Sequence, residues 1–175
     1  MRKQKGFSLI ELLIVVAIIL IIAAIAIPNL MRARIAANES AGASTVRTLN
    51  TAEVTYSTTY ASAGYAPNLQ TLGPNGVVCS DPTAVNANAA CLVDNVLGCT
   101  SGATCPKAAF GYTVTSSTTT LPIPDYTITA NSLGAALAGK NYCSNPDAVV
   151  RMTVFSTVST TVLKGSTCAN WNAIQ

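Results

Sequence analysis

The apolar run near the N-terminus constrains the fold most. Residues 7–27 form a stretch of 21 residues in which only Ser8 and Glu11 are strongly polar. As a helix rising about 1.5 Å per residue, the run nearly matches a hydrocarbon core of about 30 Å. Arg2, Lys3 and Lys5 precede it and are expected to stay cytoplasmic, which sends the rest of the chain outward. The run is therefore predicted to span a bilayer.

Two simpler interpretations of this run leave Glu11 unexplained. A cleaved secretory signal also has basic residues, an apolar stretch and small residues such as Ala24 and Ala26 near its end. A plain membrane anchor has the same overall composition. A carboxylate within such a helix costs about 2.5 to 3.5 kcal/mol on insertion scales. Glu11 is therefore a candidate functional residue that needs a partner.

The segment "KGFSLIELLIVVAIILIIAAIAIP" resembles the N-terminus of type IV pilins and of the related type II secretion pseudopilins. The shared pattern is a short basic leader ending in glycine, followed by Phe, a small residue, two apolar residues and Glu. In this sequence the pattern comprises Gly6, Phe7, Ser8, Leu9, Ile10 and Glu11, with a helix proline at Pro28. The resemblance rests mainly on residues 1 to about 35.

The resemblance implies that a membrane prepilin peptidase cuts between Gly6 and Phe7 and N-methylates the new terminus at Phe7. It also implies that the mature chain moves from the bacterial inner membrane into an extracellular filament. The implied partners are further copies of the chain, the peptidase, the assembly platform of the inner membrane and minor pilins. No cofactor is expected, and no specific nucleic acid site is evident, because the leader alone accounts for the net charge of +3.

Glu11 and the Phe7 ammonium are natural partners in such a filament. Within one chain the ammonium ends its own helix and should point along the axis rather than back toward Glu11. A neighbouring helix that is offset along its axis could instead place its ammonium against Glu11. Because an uncompensated buried charge costs several kcal/mol, this pair would select the register between copies. A contact between two different patches is heterologous and generates an open helical filament.

The sequence divides into five predicted segments. These are a leader (1–6), a membrane or filament-core helix (7–28), an amphipathic continuation of the helix (29–62), a Cys/Gly/Pro-rich loop region (63–107) and a region of antiparallel sheet (108–175). Pro28 removes a backbone donor, so we expect a kink or break near residues 25–28. Gly64 is the predicted stop signal for the helix, which should reach about Ser62.

One face of the helical continuation carries a stripe for packing on the sheet. The stripe has alternating spacings of three and four and consists of Val46, Leu49, Glu53, Tyr56 and Tyr60. The charged residues of the same helix are interpreted as solvated or subunit-contact groups; they are Arg32, Arg34, Glu39 and Arg47.

All six cysteines follow the apolar run, in the part of the chain that is expected outside the cytoplasm. They are Cys79, Cys91, Cys99, Cys105, Cys143 and Cys168. An even number of cysteines in an oxidising compartment predicts disulfides. Zinc is disfavoured because the chain has no histidine and no C-x-x-C pair. Six cysteines allow 15 pairings; pairing each with its neighbour predicts Cys79 with Cys91, Cys99 with Cys105 and Cys143 with Cys168.

The remaining sequence predicts an α+β head, the architecture of the pilins that the chain resembles. A short helix is expected over residues 67–72. Candidate strands with partial alternation and β-branched or aromatic residues cover 109–117, 125–132 and 148–156, and a further short strand is expected at 160–163. The predicted fold is therefore one long helix packed on an antiparallel sheet of three or four strands and stapled by disulfides.

Catalytic motifs are missing from the sequence, so no catalytic residue and no enzymatic activity are predicted. The chain has no histidine, no G-x-S-x-G and no phosphate-binding glycine motif. Its scattered aspartates are Asp81, Asp94, Asp125 and Asp147. They are interpreted as turn formers, with a calcium site as the less favoured alternative.

Three structural functions remain open from the sequence. The first is a type IV pilus subunit for adhesion, twitching motility or DNA uptake, which a Ser/Thr-rich, weakly charged, disulfide-bonded head favours. The second is a pseudopilin of type II secretion that forms a periplasmic filament for protein export. The third, an electron-conducting pilus built on Phe7, Tyr56, Tyr60 and Tyr65, is disfavoured because the aromatic content is an ordinary 6%.

Overall fold

A computed structural model describes residues 8–99, 104–134, 137–154 and 168–174. Within these ranges the chain forms two helices and six strands. The helices are α1 (Leu9–Thr59) and α2 (Leu69–Leu72), and the strands are β1 (Cys105–Lys107), β2 (Phe110–Thr115), β3 (Thr127–Ser132), β4 (Lys140–Ser144), β5 (Arg151–Val154) and β6 (Asn172–Ala173).

The long helix α1 ends three residues before the predicted position. Tyr60 leaves the helical conformation, while its N–H still donates to the carbonyl of Tyr56 at 2.8 Å. Gly64 then turns the chain with a φ of +77°. A Cβ at this position would lie 2.2 Å from the carbonyl oxygen of Ile123, so both the backbone angle and the close approach require glycine.

The six strands form one antiparallel meander in the order β1-β2-β3-β4-β5-β6. Each strand therefore pairs with its neighbours in the sequence, which short connections favour. The predicted α+β class is confirmed, with a long apolar helix, an antiparallel sheet and disulfides. The sheet is larger than the expected three or four strands.

Three strands were found by the sequence patterns and three were missed. The segments predicted at 109–117, 125–132 and 148–156 contain β2, β3 and β5, each shorter than expected. β1 includes a proline, β4 reads KNYCS and β6 has two residues, so none carries a run of β-branched or aromatic side chains. Pairing with neighbouring strands overrides their weak propensity. The strand expected at 160–163 lies outside the described residues.

The core lies between the second half of α1 and one face of the sheet. On that face Tyr112 is opposite Ala130, and Ala130 is opposite Tyr142, so the three side chains form a row across β2, β3 and β4. All three are buried, together with Val46 and Leu49 from α1. Burial of such a row against a helix is what holds a small α+β domain together.

The predicted helix at 67–72 begins at Leu69 because Asn68 caps it. The side-chain oxygen of Asn68 accepts the N–H of Thr71 at 3.0 Å, which satisfies one of the free amides of the first turn. Gly73 follows the helix. The described part of the 63–107 loop region thus contains one short helix and, at its end, strand β1.

Three disulfides tie the loops to the sheet. The structure joins Cys79 to Cys91, Cys99 to Cys105 and Cys143 to Cys168, the same pairs that neighbour pairing predicts. They close chain separations of 12, 6 and 25 residues. The second staples the loop region to β1, and the third joins β4 to the segment that precedes β6.

Candidate functional site: the long N-terminal helix

The first turn of α1 contains the carboxylate that the sequence singled out. Ser8 is the N-cap residue, in an extended conformation, and its N–H donates to Oε2 of Glu11 at 3.0 Å. The carboxylate thus satisfies one of the four free amides of the helix N-terminus and complements the positive end of the helix dipole. Within the described residues no cation pairs with Glu11. Gly6 and Phe7, the predicted cleavage and methylation sites, lie outside the described residues.

The apolar half of α1 makes almost no contact with the rest of the subunit. From residue 9 to residue 31 every side chain is exposed except that of Ala23, which is half-buried. Leu20 exposes 63% of its surface, for example, and the most apolar window of the helix has no buried residue. By length and composition α1 is able to cross a membrane. A surface this apolar requires lipid or other protein to cover it.

Pro28 lies inside an uninterrupted helix. The predicted break near residues 25–28 is therefore wrong, while the predicted kink stays a prediction. Pro28 has no N–H, so the carbonyl of Ala24 lacks the donor that a residue four positions later normally supplies. The segment stays helical despite this missing hydrogen bond, because regular helix continues on both sides of it.

The stripe on the second half of α1 packs on the sheet as predicted. Val46, Leu49 and Glu53 are fully buried, Tyr56 is 2% exposed and Tyr60 is half-buried. The stripe begins one turn earlier than the sequence indicated, because Gly42 and Ala43 are also buried.

One charged residue of the helix has a structural role that the sequence analysis did not assign. Glu39 was interpreted as a solvated or subunit-contact charge, but its Oε2 lies 2.9 Å from Nζ of Lys140. Its Oε1 accepts the N–H of Gly139 at 3.2 Å, and Asn38 donates to the carbonyl of Leu137 at 2.8 Å. These contacts fasten the start of β4 to the helix. Lys140 lies 101 positions along the chain, so no local pattern could indicate this ion pair.

The carboxyl group of Glu53 is buried in the helix–sheet interface. Its Oε2 accepts the N–H of Ala66 at 2.9 Å, whereas Oε1 has no partner among the described residues. Burial raises the pKa of Glu53 from 4.5 to about 8, against a smaller lowering effect of the Ala66 hydrogen bond. Glu53 is therefore protonated at neutral pH. An acidic residue on an apolar stripe was the sequence signal for this site.

Asn50 forms a second polar contact in the same interface. Its side-chain nitrogen donates to Oγ of Ser144 at 2.9 Å, and its oxygen accepts the hydroxyl of Tyr126 at 3.2 Å. Burial raises the pKa of Tyr126, and Glu53, which is ionised at the high pH where a tyrosine would lose its proton, raises it further. The phenol therefore stays a hydrogen-bond donor. Asn50 thus links α1 to Ser144 of β4 and to Tyr126, the residue before β3, through satisfied buried polar atoms.

The four aspartates accept hydrogen bonds in loops and turns, and two of them, Asp94 and Asp147, also form ion pairs. Oδ1 of Asp81 accepts from Thr83, Oδ1 of Asp94 from the N–H of Leu97, Oδ1 of Asp125 from Ser117 and Oδ1 of Asp147 from the N–H of Val149. Hydrogen bonds of this kind are typical of Asx turns and loop closures. Among the described residues, no three metal-ligating side chains come together as a cation site.

Comparison with known proteins places the N-terminal segment. Residues 1–27 match the family model described as a prokaryotic N-terminal methylation motif. A stretch of 40 residues is 65% identical to the type IV wide pilus major component PilA4 of Thermus thermophilus. The N-terminal segment of the chain is therefore similar to that of a type IV pilin. The aligned stretch covers 23% of this chain and 30% of the length of PilA4. No solved structure matches the chain.

The matched N-terminal motif and the disulfide-bonded head are different parts of the molecule. The motif covers the exposed half of α1, whereas the disulfide-bonded head follows it. The apolar helix and the motif together fit a precursor that is anchored in the membrane and later assembled.

Proposed function

We propose that the chain is a structural subunit of a type IV pilus, cleaved by prepilin peptidase after Gly6, N-methylated at Phe7 and polymerised through α1 into an extracellular filament for adhesion, twitching motility or DNA uptake. The observation that supports this most is the exposed apolar surface of residues 9–31 on a helix whose other half is the core of the head. Lipid covers this surface in the precursor, and copies of the helix cover it in the filament. The role is structural, so no residue is assigned a catalytic function.

The leader carries three cations, and its removal fits the change of environment. Moving the N-terminus from the membrane into a filament would draw Arg2, Lys3 and Lys5 through hydrocarbon, at about 2.5 to 3.5 kcal/mol each on insertion scales. Cleavage after Gly6 removes this barrier and creates an ammonium at Phe7. Methylation leaves that group positively charged.

Glu11 is proposed to set the register between neighbouring subunits. In the single subunit its carboxylate accepts only the N–H of Ser8 and has no cationic partner among the described residues. The Phe7 ammonium of an adjacent, axially offset copy supplies that partner. Because an unpaired charge in an apolar helix bundle is strongly destabilising, misaligned packing is disfavoured.

The test compares three versions of the full chain in the cell that assembles it. Glu11→Ala and Glu11→Gln should both insert in the membrane but enter sheared surface filaments far less than the native chain. Glu11→Gln keeps an acceptor for the Ser8 amide and removes only the charge. It therefore distinguishes an effect on the register between subunits from an effect on helix capping. Mass spectrometry of the filament's N-terminal peptide should show methylated Phe7. Native filament yield from Glu11→Gln would refute the register argument, whatever the yield of Glu11→Ala.

The pseudopilin alternative has a different phenotype. Deletion of a pseudopilin abolishes protein export and leaves surface fibres in place. Deletion of this chain should instead remove long surface filaments and leave export of folded proteins unchanged. Loss of protein export with surface filaments intact would instead indicate a pseudopilin.

A further inference from the structure

The charges of the head are unequally paired within one subunit. Three cations of the sheet and its loops form ion pairs: Lys107 with Asp94, Lys140 with Glu39 and Arg151 with Asp147. The exposed Arg32, Arg34 and Arg47 of α1 have no ion-pair partner among the described residues. Asp81 and Asp125 likewise have no cation beside them in the part of the chain that the structure describes. The unpaired cations thus lie on α1, and the unpaired carboxylates lie in loops of the head.

One of the unpaired arginines borders a groove on the side of the head, which we call the lateral groove. It lies between α1 and the sheet at strands β4 to β6 and encloses about 480 Å³. Its apolar lining includes Ala43, Tyr142, Met152 and Ile174. Of its two cations, Lys140 is neutralised by Glu39, which leaves the guanidinium of Arg47 unpaired. The groove therefore fits a partner that combines an apolar side chain with a carboxylate.

The loop closed by Cys79 and Cys91 presents that combination. Val78 is 67% exposed, and the N–H of Asp81 donates to its carbonyl at 3.0 Å, so both residues belong to one tight turn. Oδ1 of Asp81 accepts the N–H and the hydroxyl of Thr83, while Oδ2 is free of described partners. The hydrogen bonds from Thr83 lower the pKa of Asp81 and keep it ionised. We call residues 77–84 the Asp81 turn.

The other unpaired carboxylate is less suited to this contact. Asp125 is half-buried, and the exposed Leu121 is separated from it by Ile123, which is 3% exposed and held in the core. Leu121 and Asp125 therefore do not form one projecting unit. Asp125 serves as the matched control for Asp81.

The lateral groove and the Asp81 turn lie at different levels along α1. The loop of the Asp81 turn contacts the helix near Tyr56, whose hydroxyl donates to the carbonyl of Ala87 at 2.7 Å. Ala43, in the groove, precedes Tyr56 by thirteen residues, or about 20 Å along the axis. Among the described residues, no ion pair joins the two surfaces within one subunit. A contact between them joins two copies heterologously, which generates an open assembly.

We propose that the Asp81 turn of one copy docks into the lateral groove of a second copy, with Val78 on the apolar lining and Asp81 against Arg47. This inference rests on the proposed function as a self-assembling subunit. It adds a contact between head domains to the contacts of the N-terminal helices. Complementary charges at such a contact chiefly set which surfaces meet and in which orientation.

A charge exchange in the full chain tests this pairing. Arg47→Glu and Asp81→Arg should each lower the ratio of filament to membrane-bound subunit by about five- to tenfold, because each replaces attraction with repulsion. The double variant Arg47→Glu/Asp81→Arg should return the ratio to within about twofold of the native value. The mismatched double variant Arg47→Glu/Asp125→Arg should not recover. Equal disulfide content and equal membrane levels show that the exposed substitutions leave folding intact.

Photo-crosslinking in native filaments gives an independent readout. A photoreactive residue at Ser40, in the groove, should capture a peptide that contains Val78 and Asp81. The same residue at Thr48, about 80° around the helix, should not. Native yield from both single reversals, equal rescue by the mismatched pair, or capture of other peptides at Ser40 overturns the docking. A native chain that enters no filament at all contradicts the proposed function instead.

Discussion

The two halves of α1 share one continuous backbone and differ in what covers their side chains. Residues 9–31 form the more apolar half, yet nearly all of their surface is exposed, whereas residues 42–56 carry the helix side of the core. The exposed half adds nothing to the core of the head. The buried half combines apolar residues with two polar ones, Asn50 and Glu53, that are matched to specific groups of the head. Hydrophobicity alone therefore does not show where a helix packs.

The difference indicates a division of labour along the helix. The stability of the folded subunit depends on the second half, and association with lipid or other copies depends on the first. Substitutions should therefore fall into two classes, those that unfold the head and those that leave it intact. A position in the exposed half, or on the exposed face of the packed half, therefore provides a control for a buried position.

The largest effect is expected from the buried carboxyl of Glu53. Its pKa is raised to about 8 in the folded chain from 4.5. The protonation of Glu53 therefore contributes fully to the free energy of unfolding below pH 4.5. This contribution declines by about 1.4 kcal/mol per pH unit above pH 4.5 and is lost once the pH passes 8. The total change is about 5 kcal/mol over this window. Glu53→Gln removes the ionisation, so its stability relative to the native chain should rise from pH 4 to pH 9.

Unfolding of the full chain in detergent, followed by near-ultraviolet circular dichroism of the head tyrosines, measures this difference at each pH. Glu11→Gln is the control, because it removes a carboxylate from the exposed half of the same helix. It should leave the pH dependence of head unfolding unchanged. A constant difference between Glu53→Gln and the native chain would mean that Glu53 is ionised in the folded head.

The next largest change in stability is expected at Leu49, with Leu20 of the same helix as the control. Leu49 is fully buried, and Leu49→Ala should lower the free energy of unfolding by about 2 to 5 kcal/mol through lost burial and a residual cavity. Leu20 is 63% exposed, so Leu20→Ala should change head stability by less than about 0.5 kcal/mol. Denaturant unfolding of both variants checks the pair. Equal losses would show that the exposed half also supports the head.

The sequence predicted the two halves of the helix through different signals. The first half followed from the length of its apolar run, which matches a bilayer and needs no knowledge of the tertiary structure. The stripe from Val46 to Tyr60 followed from its helical period, and four of its five members are almost fully buried. The N-terminal pattern around Glu11 predicted the match of residues 1–27 to the N-terminal methylation motif.

The features that the sequence did not predict depend on partners far along the chain. Lys140 meets Glu39 only because β4 starts beside the helix, and β4 itself is held by pairing rather than by propensity. The sequence also allowed a break at Pro28, whereas the helix continues through it despite the missing donor. Local patterns therefore located the elements, and tertiary contacts decided where each begins and ends.

A smaller effect tests where the packed half of the helix begins. Gly42 lies against the ring of Phe110, and a Cβ at this position would be 2.6 Å from its Cε2 atom. Gly42→Leu should therefore destabilise the head by about 1 to 3 kcal/mol through overpacking. Ala41 is exposed one position earlier, and Ala41→Leu should have little effect on unfolding. Similar tolerance of both changes would move the start of the packed half toward Val46.

The smallest effect concerns the ion pair that lies just before Gly42. Glu39 and Lys140 join the helix to the sheet edge at 2.9 Å, and both side chains retain access to solvent. Such pairs contribute about 0.2 to 1 kcal/mol because water screens them and ordering both side chains opposes their gain. A double-mutant cycle of Glu39→Gln and Lys140→Met should give a coupling energy in this range, and 1 M salt should reduce it. Glu39→Gln keeps an oxygen for the Gly139 amide, so the cycle isolates the charge. A coupling near zero at low salt would place the first energetically significant contact between helix and sheet at Gly42 rather than at Glu39.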